Sequence, residues 1–244
     1  MNGPAPSGLI LVADLSSSLY LGLLGLESRV LASRIREQGA RGETAHAMLD
    51  ECLSEAGAGP KDIAAICVGI GPGSFTGIRV AVALSQGLGF AGRLPLYPFS
   101  SLAALGVCAT AVNAGPIVAA IAANAGRYFV ASEATPDRAA CESVLSADEL
   151  AGLATPQSVL ITSGNFPDRG RFEGRFASLQ RMEETADFAA LVRLAQSRPP
   201  VLDGVIRPNY LMASAAEEKR RLQGPGGQGP DDQRPDGQKP GGRG

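Results

Sequence analysis

The chain has 244 residues, 45% of them hydrophobic and 19% charged, with a formal net charge of −2. That length and apolar content suit one large or two small domains with a real core, and a nearly neutral chain without a basic stripe is not built to hold nucleic acid strongly by itself. With His46 as its single histidine, the chain excludes a His-Glu-x-x-His zinc site and every other site that needs two histidines.

Residues 1–7 show no cationic segment followed by a long apolar one, so no signal peptide is expected. The apolar runs all fall short of the ~18 residues that would span a bilayer. Residues 8–15, a short apolar run containing Asp14, read as a first strand. Residues 19–26 and 28–35 follow as an antiparallel meander, turning at Glu27-Ser28. Ala45, Met48, Leu49, Cys52, Leu53 and Ala56 recur at helical spacing and predict an amphipathic helix with Gly57 at its C-terminal cap. Residues 63–70 form a continuous apolar run, the mark of a buried parallel strand. After Gly71-Pro72-Gly73, a helix is expected over 76–91, a short strand over 94–97 and a helix over 100–111.

The pattern then restarts. Strands are expected over 117–123 and 128–132, a short helix over 147–153, a strand over 159–162 and a helix over 185–197. Together these outline a duplicated α/β fold with its boundary near residues 98–101: lobes 1–98 and 99–222. Residues 223–244 carry a four-copy Gln-x-Pro-x-x repeat without large apolar side chains, and are expected to be disordered. No two of Cys52, Cys67, Cys108 and Cys141 make a Cys-x-x-Cys motif. Cys52 and Cys67, on an apolar helix face and inside an apolar run, read as buried reduced thiols of a cytosolic protein.

The most informative stretch is residues 68–79, VGIGPGSFTGIR. It reads as a strand, a glycine-rich bend and a helix start. Gly71 and Gly73 permit backbone angles closed to other residues, and Pro72 stiffens the turn. Ser74 or Thr76 can cap the helix, and the free N–H groups of such a start can bind a phosphate. A capped helix start and a phosphate site fit these residues equally.

The string GPGSFTGIR at 71–79 closely resembles the TsaB/YeaZ family. It is followed by an Ala/Gly-rich helix, Pro95-Leu96 and Ser100-Ser101-Leu102. The opening ILVADLSSS at 10–18 is similar to that family's first strand, and Pro208-Asn209-Tyr210-Leu211 to the end of its folded region. The likeness spans about residues 9–221, strong up to about 105 and thin over 118–197. It implies an α/β fold of two ribonuclease-H-like lobes, with mixed sheets and flanking helices, in the acetate/sugar kinase, heat-shock protein and actin superfamily (ASKHA).

The resemblance further implies a cytoplasmic, non-catalytic subunit that dimerises with a homologous catalytic subunit, TsaD, with the small ATPase TsaE joining the pair. TsaD transfers a threonylcarbamoyl group to N6 of adenosine 37 in tRNA, the t6A modification of ANN-decoding tRNAs. The chain would touch tRNA indirectly, through the complex, and would not meet a membrane. It would need no cofactor of its own, and any ATP or ADP would sit at the complex interface.

Enzymes of the superfamily use an acidic residue at the end of the first strand, often in Asp-x-Gly-x-Thr/Ser. Asp14 fits, but Ser16 replaces the glycine, which crowds a phosphate. Asp14, Ser16, Gly71, Gly73, Ser74 and Thr76 therefore stand as a possible vestigial phosphate or nucleotide site, while a turn or cap role suits Asp14 better than phosphate chemistry. Where relatives read Asp-Ala-Arg-x-Gly-Glu in the second lobe, this chain has Ala122, Ala123, Asn124, Ala125, Gly126 and Arg127. Neither acid is present, and a magnesium–nucleotide site needs oxygen ligands. Catalytic relatives hold a metal with two histidines; the position where the family usually has a histidine is Arg41 here, and no metal or catalytic residue is assigned.

A partner surface needs area rather than chemistry. On the helix after Thr76, Ala81, Ala83, Ser85, Gly87, Gly89 and Ala91 are all small, and small residues four apart let another helix come close. These faces either pack on the chain's own sheet or meet a partner. In the family the two helices near 43–57 and 76–91 form the dimer surface, in heterodimers and homodimers alike. That places Met48, Ala83, Gln86, Gly87 and Phe90 at the interface. The competing readings are a small-molecule kinase of the same superfamily, which Ser16 and the missing second-lobe acid disfavour, and a metalloprotease, which one histidine disfavours.

Overall fold

The structure is a computed structural model that describes residues 8–17, 19–24, 29–36, 43–109, 115–132, 141–203 and 205–212. The turn at Glu27-Ser28, Arg41 and the 223–244 repeat lie outside the described residues. Strands β1 (Leu9–Asp14), β2 (Leu19–Leu24) and β3 (Val30–Arg36) lead into helix α1 (Glu43–Glu55), strand β4 (Ile63–Gly69), helix α2 (Phe75–Gly92) and strand β5 (Leu96–Phe99). They build one sheet in the order β3-β2-β1-β4-β5, with β1 antiparallel to β2 and parallel to β4.

The second half repeats this plan. Helix α3 (Ser101–Cys108) precedes strands β6 (Ile117–Ala122), β7 (Arg127–Ser132) and β8 (Cys141–Ser146). Helix α4 (Ala147–Gly152), strand β9 (Val159–Ser163), helix α5 (Arg169–Phe172), strand β10 (Ser178–Arg181) and helices α6 (Met182–Thr185) and α7 (Phe188–Gln196) complete it. The order β10-β9-β6-β7-β8, again with an antiparallel meander beside parallel strands, matches the first sheet strand for strand. This is the duplicated ribonuclease-H-like architecture expected above. The expected boundary after residue 98 falls inside β5, whose last residue is Phe99.

The period of two along each strand divides the core into layers. From β1 and β4, Leu11, Ala13, Ile66 and Val68 face one way, with Met48, Leu49, Cys52, Ile78 and Ala81 of α1 and α2. Val12 and Cys67 face the other way, into a cluster with Leu102 and Leu105 of α3, Phe188 and Leu191 of α7, and Ala119, Ile121 and Phe129 of the second sheet. Beyond that sheet, Val118, Tyr128, Val130 and Leu160 pack with Leu150 of α4 and Phe172 of α5. Helices α3 and α7 thus fill the space between the sheets, and α7 packs on β1, β4 and β5 of the first lobe. Both lobes belong to one compact unit, Met1–Met212.

Several expectations are corrected. The helix expected over 185–197 is two pieces. Asp187 accepts the N–H of Ala190 and caps α7 afresh, so the chain leaves the helical path at Ala186. Strand β5 lies two residues later than expected. It takes Pro98 because it is the edge strand of its sheet, paired with β4 on one side and bridged through Leu96 to Val201 on the other. Strands β8 and β10 and helix α5 had no apolar signal long enough to read.

Cys52, Cys67 and Cys108 are buried and Cys141 is exposed. Burial pushes the three inner thiols up, to about 11, 12 and 11 respectively. Only a thiolate attacks an alkylating reagent. Iodoacetamide on the folded chain should therefore label Cys141 alone within minutes, and all four cysteines in denaturant, as read by peptide mass spectrometry.

Candidate functional site

The carboxyl ends of β1 and β4 converge, and the sequence there closes a tight polar knot. Asp14 is buried, and its Oδ1 accepts the backbone N–H of Ser16 at 2.8 Å, an aspartate turn. Gly69, the last residue of β4, lies directly against this carboxyl: a Cβ there would stand 2.2 Å from the Asp14 carboxyl carbon. Gly71 has φ +97° and Gly73 φ +153°, angles that need glycine. The Ser101 N–H donates to Gly71 O at 2.9 Å, the Gly71 N–H donates to Ser101 Oγ at 3.2 Å, and the Asn209 N–H donates to Ile70 O at 2.8 Å.

Helix α2 begins from this knot. Ser74 is its N-cap, accepting the N–H of Gly77 at 3.2 Å, so the cap falls to Ser74 rather than to the exposed Thr76. The N–H of Ser74 donates to Ser16 O. A Cβ at Gly73 would lie 2.3 Å from Ser16 O, and one at Gly77 1.8 Å from Leu15 O. The glycines therefore admit the chain's own 14–16 backbone. The structure brings Asp14, Ser16, Gly71, Gly73 and Ser74 together as expected, and in it two of the donors at the helix start serve internal acceptors.

Burial raises the Asp14 carboxyl above the ordinary aspartate range, with the Ser16 N–H and the Ser101 hydroxyl opposing it. The folded chain then keeps this proton to higher pH than the unfolded chain. The stabilisation is full below about pH 4, where even an unfolded aspartate is protonated, and is lost as pH rises through the folded value. Asp14→Asn cannot ionise. Its stability relative to the parent should grow as pH is raised from about 4 towards neutrality, measured by urea unfolding at successive pH values.

In the second lobe, residues 122–127 form the end of β6, the turn and the start of β7. Ala125 and Gly126 have φ +58° and +68°, and the Ala123 N–H donates to Arg127 O at 2.8 Å. The four residues Asn124, Ala125, Gly126 and Arg127 are exposed. This is a tight hairpin turn without a carboxylate. Among the described residues, no group of three His, Cys, Asp or Glu side chains is gathered to hold a metal ion, and no helix is long and apolar enough to cross a membrane.

Sequence reasoning missed the side-chain contacts between residues far apart in the chain. Ser17 donates its hydroxyl to Ser163 Oγ at 2.8 Å, across 146 residues of chain. Ser100 donates to Glu142 Oε1, and Asn209 Nδ2 donates to Glu142 Oε2 at 2.7 Å. No spacing rule links such positions; they meet because the two sheets face each other.

The outer helices carry the other candidate surface. Ala81, Ser85 and Gly89 face the sheet, and a Cβ at Gly89 would lie 2.7 Å from Leu96. Ala83 and Gly87 face outward with Phe90, which is 88% exposed, while Gln86 is half-buried. A Cβ at Gly87 would meet nothing within 4 Å. The small residues of α2 thus divide between a packed face and an open one. Met48 does not belong to the open one: it is 1% exposed, because the apolar stripe of α1 that includes it turns onto the sheet. His46 is exposed on α1.

The family model described as "TsaD: tRNA N6-adenosine threonylcarbamoyltransferase" matches residues 40–192. A segment of 83 residues, 34% of the chain, is 41% identical to the tRNA threonylcarbamoyladenosine biosynthesis protein TsaB of Haemophilus influenzae. A segment of the same length is 36% identical to the TsaB protein of Escherichia coli. These matches span about a third of each relative, 35% and 36%. Among solved structures, YeaZ from Pseudomonas aeruginosa superposes with a TM-score of 0.65 at 25% identity, over 84% of this chain and 100% of that one. A Pseudomonas aeruginosa protein described as similar to peptidase YEAZ gives the same TM-score of 0.65 at 26% identity.

Proposed function

The chain belongs to the family of the TsaD model and, within it, to the TsaB/YeaZ group, and on that premise we propose that it is a non-catalytic subunit of tRNA threonylcarbamoyladenosine synthesis. In this reading it dimerises with TsaD, which performs the threonylcarbamoyl transfer to adenosine 37, and TsaE joins the pair. Its own contribution is a surface. The observation that carries this is the outward face of α2, where Ala83 and open space at Gly87 stand beside a phenylalanine left 88% exposed. An aromatic ring at the end of a shallow, small-residue track suits a helix laid across it, with Phe90 as the anchor.

Two features support a non-catalytic role. The glycine bend at 71–73 admits the chain's own backbone, and the turn at 124–126 offers no carboxylate to a metal-bound phosphate. Near-neutral charge supports indirect contact with tRNA, through the complex. The chain can also pair with itself through the same face. ATP or ADP, if the complex uses it, belongs at the interface with the partner. The expected location is the cytoplasm, where tRNA is modified.

The test is reconstitution. Purified TsaD, TsaE and tRNA should form threonylcarbamoyladenosine efficiently only when this chain is added, and the chain alone should hydrolyse no ATP. Hydrolysis by the pure chain that disappears in Asp14→Ala would overturn the non-catalytic reading in favour of phosphotransfer.

A further inference from the structure

At the carboxyl end of β9 the chain bends at Gly164, whose φ is +70°. The Gly164 N–H donates to Glu183 Oε1 at 2.8 Å, and the Ser163 hydroxyl donates to the same oxygen at 3.1 Å. Arg181 Nε stands 3.5 Å from Glu183 Oε2, and the Glu183 side chain is 11% exposed. Ser163 Oγ in turn accepts the hydroxyl of Ser17, from the first lobe, in a buried contact. A carboxylate held by a backbone N–H, a hydroxyl and a guanidinium in a largely buried position is an occupied oxyanion site. Its occupant is a side chain of the protein itself.

We infer that Ser163, Gly164 and Arg181 form an oxyanion cradle that Glu183 fills in the free chain, and that this carboxylate latches the two lobes together through Ser163 and Ser17. The chemistry is that of a serine hydroxyl, which has one proton and two lone pairs. Glu183 takes the proton, and the lone pairs are left to receive Ser17. Without the carboxylate the Ser163 hydroxyl loses its orientation, and the bond between lobes loses the polarisation that the charge provides. The ligand class that fits the emptied cradle is a small carboxylate: formate first, then acetate.

The experiment uses the full chain alone, so it does not depend on pairing with TsaD. In Glu183→Ala the melting temperature should fall by roughly 5 °C, the expected size for a lost charge-assisted hydrogen bond in a chain of this length. Amide exchange should quicken at Gly164 and at residues 14–17. Sodium formate should restore most of the loss, and sodium chloride at equal concentration should not. Ser17→Ala, which cuts the contact between lobes and leaves the cradle filled, should quicken exchange at 14–17 while formate has no effect. It serves as the second readout should Glu183→Ala fail to fold. Equal recovery in formate and chloride would sink the cradle. Unchanged exchange at 14–17 in Ser17→Ala would sink the latch.

Discussion

Gly77→Ala should cost the protein about 2–4 kcal/mol and lower its melting temperature by about 5–15 °C, although alanine is the better helix former. The added methyl carbon would stand 1.8 Å from the Leu15 carbonyl oxygen, a backbone atom that cannot swing aside. The start of α2 would have to lift away from the 14–16 loop. That would strain the Ser74 cap and the Ser74 N–H bond to Ser16 together. The control lies ten residues on in the same helix. At Gly87 a methyl group meets nothing within 4 Å, so Gly87→Ala should stabilise the chain by about 0.5–1 kcal/mol through backbone entropy. Thermal unfolding of the two variants should give shifts of opposite sign.

Gly87→Trp should remove pairing and leave the fold intact. Its side chain would enter open solvent in the free chain, so secondary structure and melting temperature should stay close to those of the parent. A helix laid over Ala83 and Gly87 would meet the indole ring, and close approach along a small-residue track does not survive so bulky an insertion. The expected result is at least a hundredfold loss of affinity for TsaD, about 2.7 kcal/mol or more, by titration calorimetry. Unchanged affinity would place the interface elsewhere on the molecule. Phe90→Ala should weaken the same complex without affecting stability, because the ring has nothing to lose on the free chain.

The first lobe was legible because each of its elements carries a strong local signal. The spacing from Ala45 to Ala56 fixed α1, the unbroken apolar run at 63–70 fixed β4, and glycines with a serine cap announced the bend before α2. The second lobe hides its edges. In β8, the residues Cys141, Glu142 and Ser143 of a half-buried edge strand carry no clear alternation. β10 is four residues long. The break before α7 was there to be read in Asp187, a capping residue three positions before the alanine that donates to it, but the apolar spacing beyond it masked the interruption.

The site divides in the same way. Asp14, Gly71, Gly73 and Ser74 were found because they lie in two short motifs whose chemistry is local. Ser163, Glu183 and Glu142 were not, since their partners are 19 to 146 residues away and are set by the tertiary fold, within the second lobe as well as across to the first. Met48 shows the opposite error. Its place on the apolar stripe was read correctly, but a residue cannot line the sheet and a partner at once, and the burial of α1 settles it on the sheet.

The central claim is that this chain works by pairing, and co-purification with the TsaD of the same organism tests it most directly. The two chains, mixed at micromolar concentration, should elute from size-exclusion chromatography as a single species with the mass of a one-to-one complex, and Gly87→Trp should return two separate peaks. Separate elution of the unaltered chains, with TsaE and nucleotide also supplied, would contradict the account.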